Sequence, residues 1–164
     1  MISTSELDKV KQLAGEIIET LGFKFSEIDA EVFIADKTEG EEQSSEMINL
    51  QIKGDDLVNL IGRYGKTLFA FQHILTMAYN AGKDEGRIRI IVDINDYREQ
   101  REKELKSYAD RALAEVKQTN LPMALPPMKP VERRIIHLAL KEEEGIITTS
   151  EGEEPNRYVV IKPV

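Results

Sequence analysis

The sequence predicts an α+β protein of two small domains, and three observations carry this prediction. The first 95 residues contain helix and strand patterns in the order helix, strand, strand, helix, helix, strand. A second series of helix and strand patterns begins at once and includes a proline-rich connection. The length of 164 residues suits one or two small domains. We therefore expect one domain over residues 1–95 and another over residues 96–164.

The elements of the first domain follow from hydrophobic periodicity. A helix is predicted from Ser3 because apolar residues recur at helical spacing from Leu7 to Ile18, and Gly22 ends it. Alternating apolar residues predict strands, and an acidic stretch over residues 36–46 predicts the hairpin loop between the first two. The predicted helices span residues 3–21, 55–61 and 66–80, and the predicted strands span residues 30–35, 47–52 and 87–94.

The second domain begins with a helix whose start has capping-box spacing, Asp96 and Glu99. This helix is expected to reach about Lys117, and the prolines after it force a loop. Pro130 suits the first position of another helix, which is expected to end near Gly145. Two short strands, 146–149 and 158–161, then follow with a turn over residues 150–157 between them.

Composition excludes several classes of protein. The chain has no cysteine and two histidines, which leaves neither a disulfide framework nor a thiolate or histidine-rich metal site. No apolar run approaches the roughly 20 residues of a membrane span, and the N-terminus lacks the features of a signal peptide. We therefore expect a cytoplasmic protein with no membrane insertion, no metal and no cofactor.

The charge is acidic overall but uneven along the chain. A net charge of -8 is unusual for a nucleic-acid binder, whose footprint is basic. Residues 1–52 contain 4 Lys or Arg against 12 Asp or Glu, whereas residues 117–141 contain 5 basic residues against 1 acidic residue. A local basic patch can still bind phosphates, but the whole molecule repels a polyanion. Binding to nucleic acid should therefore be modest and sensitive to salt.

A Gly-x-x-Gly loop, Gly62-Arg63-Tyr64-Gly65, separates two predicted helices. Glycines let a sugar-phosphate backbone approach the main chain, and the next helix, starting at Lys66, offers unpaired N–H groups and a partial positive charge. Arg63 and Lys66 add cations, and Tyr64 can stack on a base. This layout fits a clamp on a four-nucleotide backbone. A tight turn between helices that merely uses two glycines is the alternative.

Arg133 and His137 are four residues apart on the helix predicted to start at Pro130, so they share a face. At about 100° per residue, both point away from the predicted buried stripe, and we expect both to be exposed. Such a pair can bind a phosphate and contact a base; a solvated surface is the alternative. An ordinary histidine would become cationic below about pH 6.5, so binding should tighten as the pH falls. The predicted buried stripe consists of Val131, Ile135, Leu138 and Ala139.

These segments resemble a known family. Residues 55–94 with their Gly-x-x-Gly loop resemble a type II KH domain, which has the order αββααβ. Residues 125–137 (Leu-Pro-Pro-Met-Lys-Pro-Val-Glu-Arg-Arg-Ile-Ile-His) and 152–158 (Gly-Glu-Glu-Pro-Asn-Arg-Tyr) resemble an Arg-x-x-x-His (R-3-H) domain, a small α/β unit. A KH domain followed directly by an R-3-H domain is similar to the bacterial Jag family, also called EloR or KhpB.

The resemblance implies a cytoplasmic protein that binds single-stranded RNA, with single-stranded DNA left open, and that regulates cell elongation and envelope growth. It also implies pairing of KH domains, either in a homodimer or with a small stand-alone KH protein. Lys129 and Arg134 flank the Arg-x-x-x-His pair and are further candidates. The RNA contacts implied by the resemblance are Gly62, Arg63, Tyr64, Gly65 and Lys66 in the KH domain and Arg133, His137 and Arg157 in the R-3-H domain.

Two other functions compete with RNA binding. A protein–protein adaptor that dimerises through its KH domain is favoured by the acidic net charge. A nuclease would need a metal clamp, for which the acidic run Glu142, Glu143 and Glu144 is the candidate. Three adjacent glutamates at a helix end point in different directions and form a poor clamp. We therefore expect a binding protein and not an enzyme.

Overall fold

The structure, a computed structural model, describes residues 2–34 and 46–164. Two compact units divide the chain, Met1–Arg98 and Glu99–Val164, here called the N-terminal and C-terminal units. Within the described ranges, no helix combines the length and the apolar character needed to cross a bilayer. The mixed α+β architecture that the sequence predicts is confirmed.

The N-terminal unit contains a three-stranded sheet with strand order β1-β2-β3. Strands β1 and β2 are antiparallel, whereas β2 and β3 are parallel. Alternate residues of the strands point to one face and form a core with α1 and α3. The elements are α1 (Thr4–Thr20), β1 (Glu27–Ile34), β2 (Glu46–Lys53), α2 (Val58–Ile61), α3 (Lys66–Tyr79) and β3 (Arg89–Ile94). The core side chains include Val10, Ala14, Ile18, Ile48, Leu50, Ile52, Leu68, Phe71, Leu75, Ile90 and Val92.

This order of elements is the predicted one, with shifts at the ends. Strand β1 begins three residues earlier than predicted, and β3 begins two residues later. Of the predicted acidic loop over residues 36–46, only Glu46 lies among the described residues, and it begins β2. The last residue of the first predicted strand, Ala35, also lies outside the described residues.

Helix α3 is fixed against the free edge of β3 by side-chain amides. The Asn80 amide donates to the carbonyl of Ile88 at 2.8 Å, and its oxygen accepts the Ile88 N–H at 2.9 Å. The Gln72 side-chain oxygen accepts the Val92 N–H at 3.0 Å. These bonds satisfy edge-strand groups that would otherwise lack partners. They also fix the position of α3, and with it the Gly-x-x-Gly loop that precedes it.

The C-terminal unit packs two helices against a three-stranded antiparallel sheet with strand order β4-β6-β5. The elements are α4 (Tyr97–Thr119), β4 (Met123–Ala124), α5 (Pro130–Ala139), β5 (Ile146–Glu151) and β6 (Tyr158–Pro163). Strand β4 lies where the sequence predicts only a proline-rich loop. Helix α5 ends well before the predicted end at Gly145, because the charged run after Leu140 offers no apolar side chain to the core.

The start of α4 is capped differently from the prediction. The buried carboxylate of Asp93 accepts the N–H groups of Ile94 at 3.0 Å and Arg98 at 3.2 Å. Glu99, which was expected to cap with Asp96, pairs instead with a lysine one turn later. The predicted capping box is therefore wrong, since a residue at the end of β3 already satisfies a first-turn N–H group of α4.

Candidate nucleic-acid interface

The Gly-x-x-Gly loop adopts a backbone that requires its two glycines. Gly62 and Gly65 have φ angles of +69° and +67°, in the left-handed region that glycine tolerates best. A Cβ at Gly62 would lie 2.1 Å from the Thr67 hydroxyl oxygen, and one at Gly65 would lie 2.7 Å from a ring carbon of Tyr97. The loop is thus a close-packed turn at the start of α3, in which Gly62 is partly exposed and Gly65 is buried.

Three side chains of this segment point into solvent. Arg63 and Lys66 are exposed, and half of the Tyr64 side chain is exposed. The Arg63 guanidinium carbon lies 5.2 Å from the centre of the Tyr64 ring, within the range of a cation–π contact. Tyr64 itself has a φ of +53°, which is uncommon outside glycine. A cation and an aromatic ring therefore lie side by side at the N-terminus of α3, a 14-residue helix.

The structure overturns the expectation that Arg133 is exposed. Only 7% of Arg133 is exposed, and its guanidinium forms an ion pair with Glu154. Two residues of the predicted buried stripe, Val131 and Leu138, are instead 63% and 58% exposed. The buried face of α5 centres on Ile136, and Arg133 belongs to it because the turn between β5 and β6 supplies a counter-charge. Apolar periodicity cannot reveal such a counter-charge, which is remote in sequence.

His137 is half-buried and held by two hydroxyl groups of β5. Its Nδ1 lies 2.7 Å from the Thr148 hydroxyl and its Nε2 lies 2.8 Å from the Ser150 hydroxyl. Burial lowers the pKa of His137 below its ordinary value, and the nearby charge of Arg133 lowers this pKa further. The ring therefore stays neutral at pH 7 and resists protonation just below it. The sequence-based expectation of an ordinary His137 pKa is therefore wrong. The prediction that RNA binding tightens as His137 becomes cationic stays a prediction, and it applies below the pH of about 6.5 first expected.

The flanking cations are divided between two faces. Met128 donates its N–H to the Arg157 carbonyl at 3.1 Å, which places Lys129, the residue before α5, close to Arg157. Arg157 is exposed and Lys129 is half-buried. Arg134 is exposed but points about 100° away from Arg133 around the helix. The structure thus places the main chains of Lys129 and Arg157 near each other, and it directs Arg134 to a different side of α5 from Arg133.

Sequence reasoning missed the three partners of the Arg-x-x-x-His pair: Thr148, Ser150 and Glu154. The spacing of Thr148 and Ser150 was a usable signal, because alternate residues of a strand share a face. Glu154 carried no such signal, since nothing local relates it to Arg133. No group of three or more histidine, aspartate or glutamate side chains that could hold a metal occurs in the described parts of the chain.

Comparisons with known proteins place the C-terminal unit in a family. Residues 103–163 match the R-3-H domain family. The chain is 39% identical over 119 residues to the RNA-binding protein KhpB of Clostridium symbiosum, an alignment that covers 73% of this chain and 53% of that protein. It is 30% identical over 152 residues to the RNA-binding protein KhpB of Streptococcus pneumoniae, covering 93% of this chain and 44% of that protein.

The RNA-binding protein KhpB of Bacillus subtilis is 32% identical over 122 residues, covering 73% of this chain and 58% of that protein. This chain therefore spans about half the length of the relatives it matches. The predicted R-3-H domain is confirmed by the family match.

Proposed function

We propose that this chain is a single-stranded RNA-binding protein of the KhpB (Jag, EloR) family, with a type II KH domain over residues 1–95 and an R-3-H domain over residues 96–164. Its similarity to several proteins named RNA-binding protein KhpB supports this. So does the element order αββααβ of the N-terminal unit, with its Gly-x-x-Gly segment between α2 and α3. Its role is binding and not catalysis.

The observation that carries the proposal is the exposed face of the Gly-x-x-Gly loop. Gly62, which is partly exposed, allows a phosphate close to the main chain, while Arg63 and Lys66 supply cations. Gly65 is buried and fixes the shape of the turn. Tyr64 offers a ring on which a base can stack, which works for any sequence because every base has a π-face. The site therefore contacts the sugar-phosphate backbone and stacks on bases, and it favours single strands with little sequence preference.

The R-3-H unit adds a second set of contacts. Arg133 and His137 bind one phosphate together, while Lys129, Arg134 and Arg157 attract the backbone on either side. Because Arg133 and His137 are held by partners inside the unit, this set contributes less than the loop to the first encounter. We further propose, from the resemblance to the KhpB family, that the protein acts in the cytoplasm and regulates cell elongation and envelope growth.

The test is a charge-matched comparison of two double variants in the full chain. Arg63→Asp with Tyr64→Asp puts carboxylates where phosphates should lie, and we expect it to weaken binding to single-stranded RNA by about tenfold or more. The control, Lys24→Asp with Ser5→Asp, changes the net charge equally at two exposed positions away from the loop. Equal weakening by both pairs, or affinities within about twofold of the parent, would remove the loop as the clamp.

A protein–protein adaptor is the second candidate, and one observation favours it. Helix α3 exposes Ile74 and Met77, one turn apart, at 55% and 62%. Exposed apolar side chains in adjacent turns suit a helix-mediated contact with a second copy or with a small stand-alone KH protein. Sedimentation at high concentration, with and without Ile74→Asp, tests it. If both proteins stay monomeric and the parent binds RNA, the adaptor is excluded and only the RNA-binding proposal stands.

A further inference from the structure

The ion pair between Arg133 of α5 and Glu154, on the turn between β5 and β6, is unequal in its burial. Only 8% of the Arg133 side chain is exposed, whereas 51% of the Glu154 side chain is exposed. The cation therefore lies inside the unit while its carboxylate partner remains in contact with water. Because Glu154 is already half hydrated, it can leave the pair with a small change in its own solvation.

The Arg133 guanidinium has more hydrogen-bonding capacity than Glu154 satisfies. A guanidinium carries five N–H donors in a planar fork that matches the oxygens of a carboxylate or a phosphate. The Nε atom of Arg133 is buried and has no partner within residues 2–34 and 46–164. An unsatisfied buried donor costs free energy, and a phosphate that accepts from two donors at once would remove this cost.

The surroundings of the pair also favour an anion. His137, one turn after Arg133, adds a ring held between two hydroxyl groups. Lys129 lies at the start of the same helix, and Arg157 follows Glu154 on the same exposed turn. If Glu154 moved away, the Arg133 guanidinium would lack a counter-charge, which an oxyanion could then supply.

We propose that Glu154 occupies the phosphate position of the R-3-H unit when RNA is absent and is displaced by an RNA phosphate on binding, so that it limits the affinity of this unit. This inference rests on the proposed function. The exchange replaces one anion beside the buried cation with another, so Arg133 keeps a counter-charge throughout. Glu154 is thus an internal competitor of the ligand.

The test uses the full chain and a short single-stranded uridine oligonucleotide. Glu154→Gln removes the competing charge, and Glu153→Gln removes the same charge from the neighbouring exposed position, which makes no ion pair among the described residues. We expect Glu154→Gln to bind about 3- to 10-fold more tightly than Glu153→Gln, the range of a partly exposed ion pair. Glu154→Asp, which keeps the net charge but shortens the reach to Arg133, should also bind more tightly than the parent.

Thermal unfolding of each variant separates competition from scaffolding. The melting temperature of Glu154→Gln can fall, because Arg133 has lost its partner. Competition requires that this variant nevertheless binds the oligonucleotide more tightly. Parallel loss of affinity and stability, or equal affinities for Glu154→Gln and Glu153→Gln, would overturn the inference while RNA binding by the parent stands. If neither the parent nor any variant binds the oligonucleotide, the proposed function fails and the inference with it.

Discussion

Arg133 and Asp93 are the two buried charged residues among those the structure describes, and their neighbours explain why they are tolerated. Asp93 accepts two main-chain N–H groups, and Arg133 pairs with a carboxylate at the surface. Burial raises the pKa of Asp93, although the N–H donors of Arg98 and Ile94 oppose this change. Both charges therefore serve the architecture of their units before any ligand is considered.

Replacement of Arg133 should affect stability as well as binding. Arg133→Ala removes a buried side-chain stem and an ion pair, and we expect the free energy of unfolding to fall by about 1–3 kcal/mol. Arg134→Ala, the adjacent exposed arginine, should change it by less than about 0.5 kcal/mol. Urea unfolding followed by circular dichroism measures both. Equal midpoints for the two variants would show that Arg133 is not the packed residue described.

His137 should make the C-terminal unit less stable in mild acid. Its pKa in the folded protein is lowered, first by burial and then by Arg133, so the unfolded chain takes up a proton more readily. The stability supplied by the neutral ring is therefore complete above the unfolded pKa of about 6.5 and is lost as the pH falls through and below that value. Urea unfolding at about pH 7.5 and about pH 5.5 should show a smaller loss for His137→Gln than for the parent.

The other histidine supplies the control for this pH effect. His73 is exposed on α3, and His73→Gln should keep the loss of stability seen in the parent. If His137→Gln loses as much stability on acidification as His73→Gln, then the titration of His137 is not coupled to folding.

At the scale of elements, the Gly-x-x-Gly turn is the most constrained connection that the site depends on. Gly62 and Gly22 both have positive φ angles, +69° and +83°, but an added Cβ would meet Thr67 at Gly62 and nothing within 4 Å at Gly22. Gly22→Ala should therefore lower the free energy of unfolding by about 1 kcal/mol, through backbone strain alone. Gly62→Ala should lower it by roughly 2 kcal/mol or more, because the new methyl group also meets Thr67. Equal losses in urea unfolding would show that the turn yields to the extra methyl group.

The order of the elements was predictable because it depends on local periodicity. The stripe in α1, the alternation in β2 and the glycine before α3 each report a structure that forms within one segment. Strand β4 was missed, since two residues that pair with a distant strand leave no local pattern. The end of α5 was placed too late for a related reason: the acidic run after Leu140 keeps a helical composition but has no core to contact.

The exposure of the loop residues was predictable from the sequence, whereas the burial of Arg133 was not. Exposed loop residues such as Arg63 and Lys66 lie where the motif indicates, because the motif fixes the backbone around them. The burial of Arg133 depends on Glu154, which is 21 residues away, and no spacing rule connects the two. Whether these residues bind RNA remains a prediction at every position.

At the scale of the whole molecule, the net charge of -8 opposes any polyanion, so binding must come from a few local cations. Each phosphate contact with a single strand contributes about -0.7 to the slope of log affinity against log salt concentration. Three to five contacts therefore predict a slope of roughly -2 to -4. Fluorescence anisotropy at several KCl concentrations measures this slope. Arg63→Ala should make it shallower by about 0.7, whereas Lys24→Ala should leave it unchanged, and a flat response in the parent would exclude phosphate contacts.

The central claim is that the chain binds single-stranded RNA through the two surfaces described. Titration of the isotope-labelled full chain with a short single-stranded RNA, followed by the amide signals in NMR spectra, tests it most directly. We predict that the largest shifts fall at residues 62–66 and around Lys129, His137 and Arg157. Signals that do not move when RNA is in excess, or shifts confined to the exposed face of α3 around Ile74 and Met77, would contradict the account.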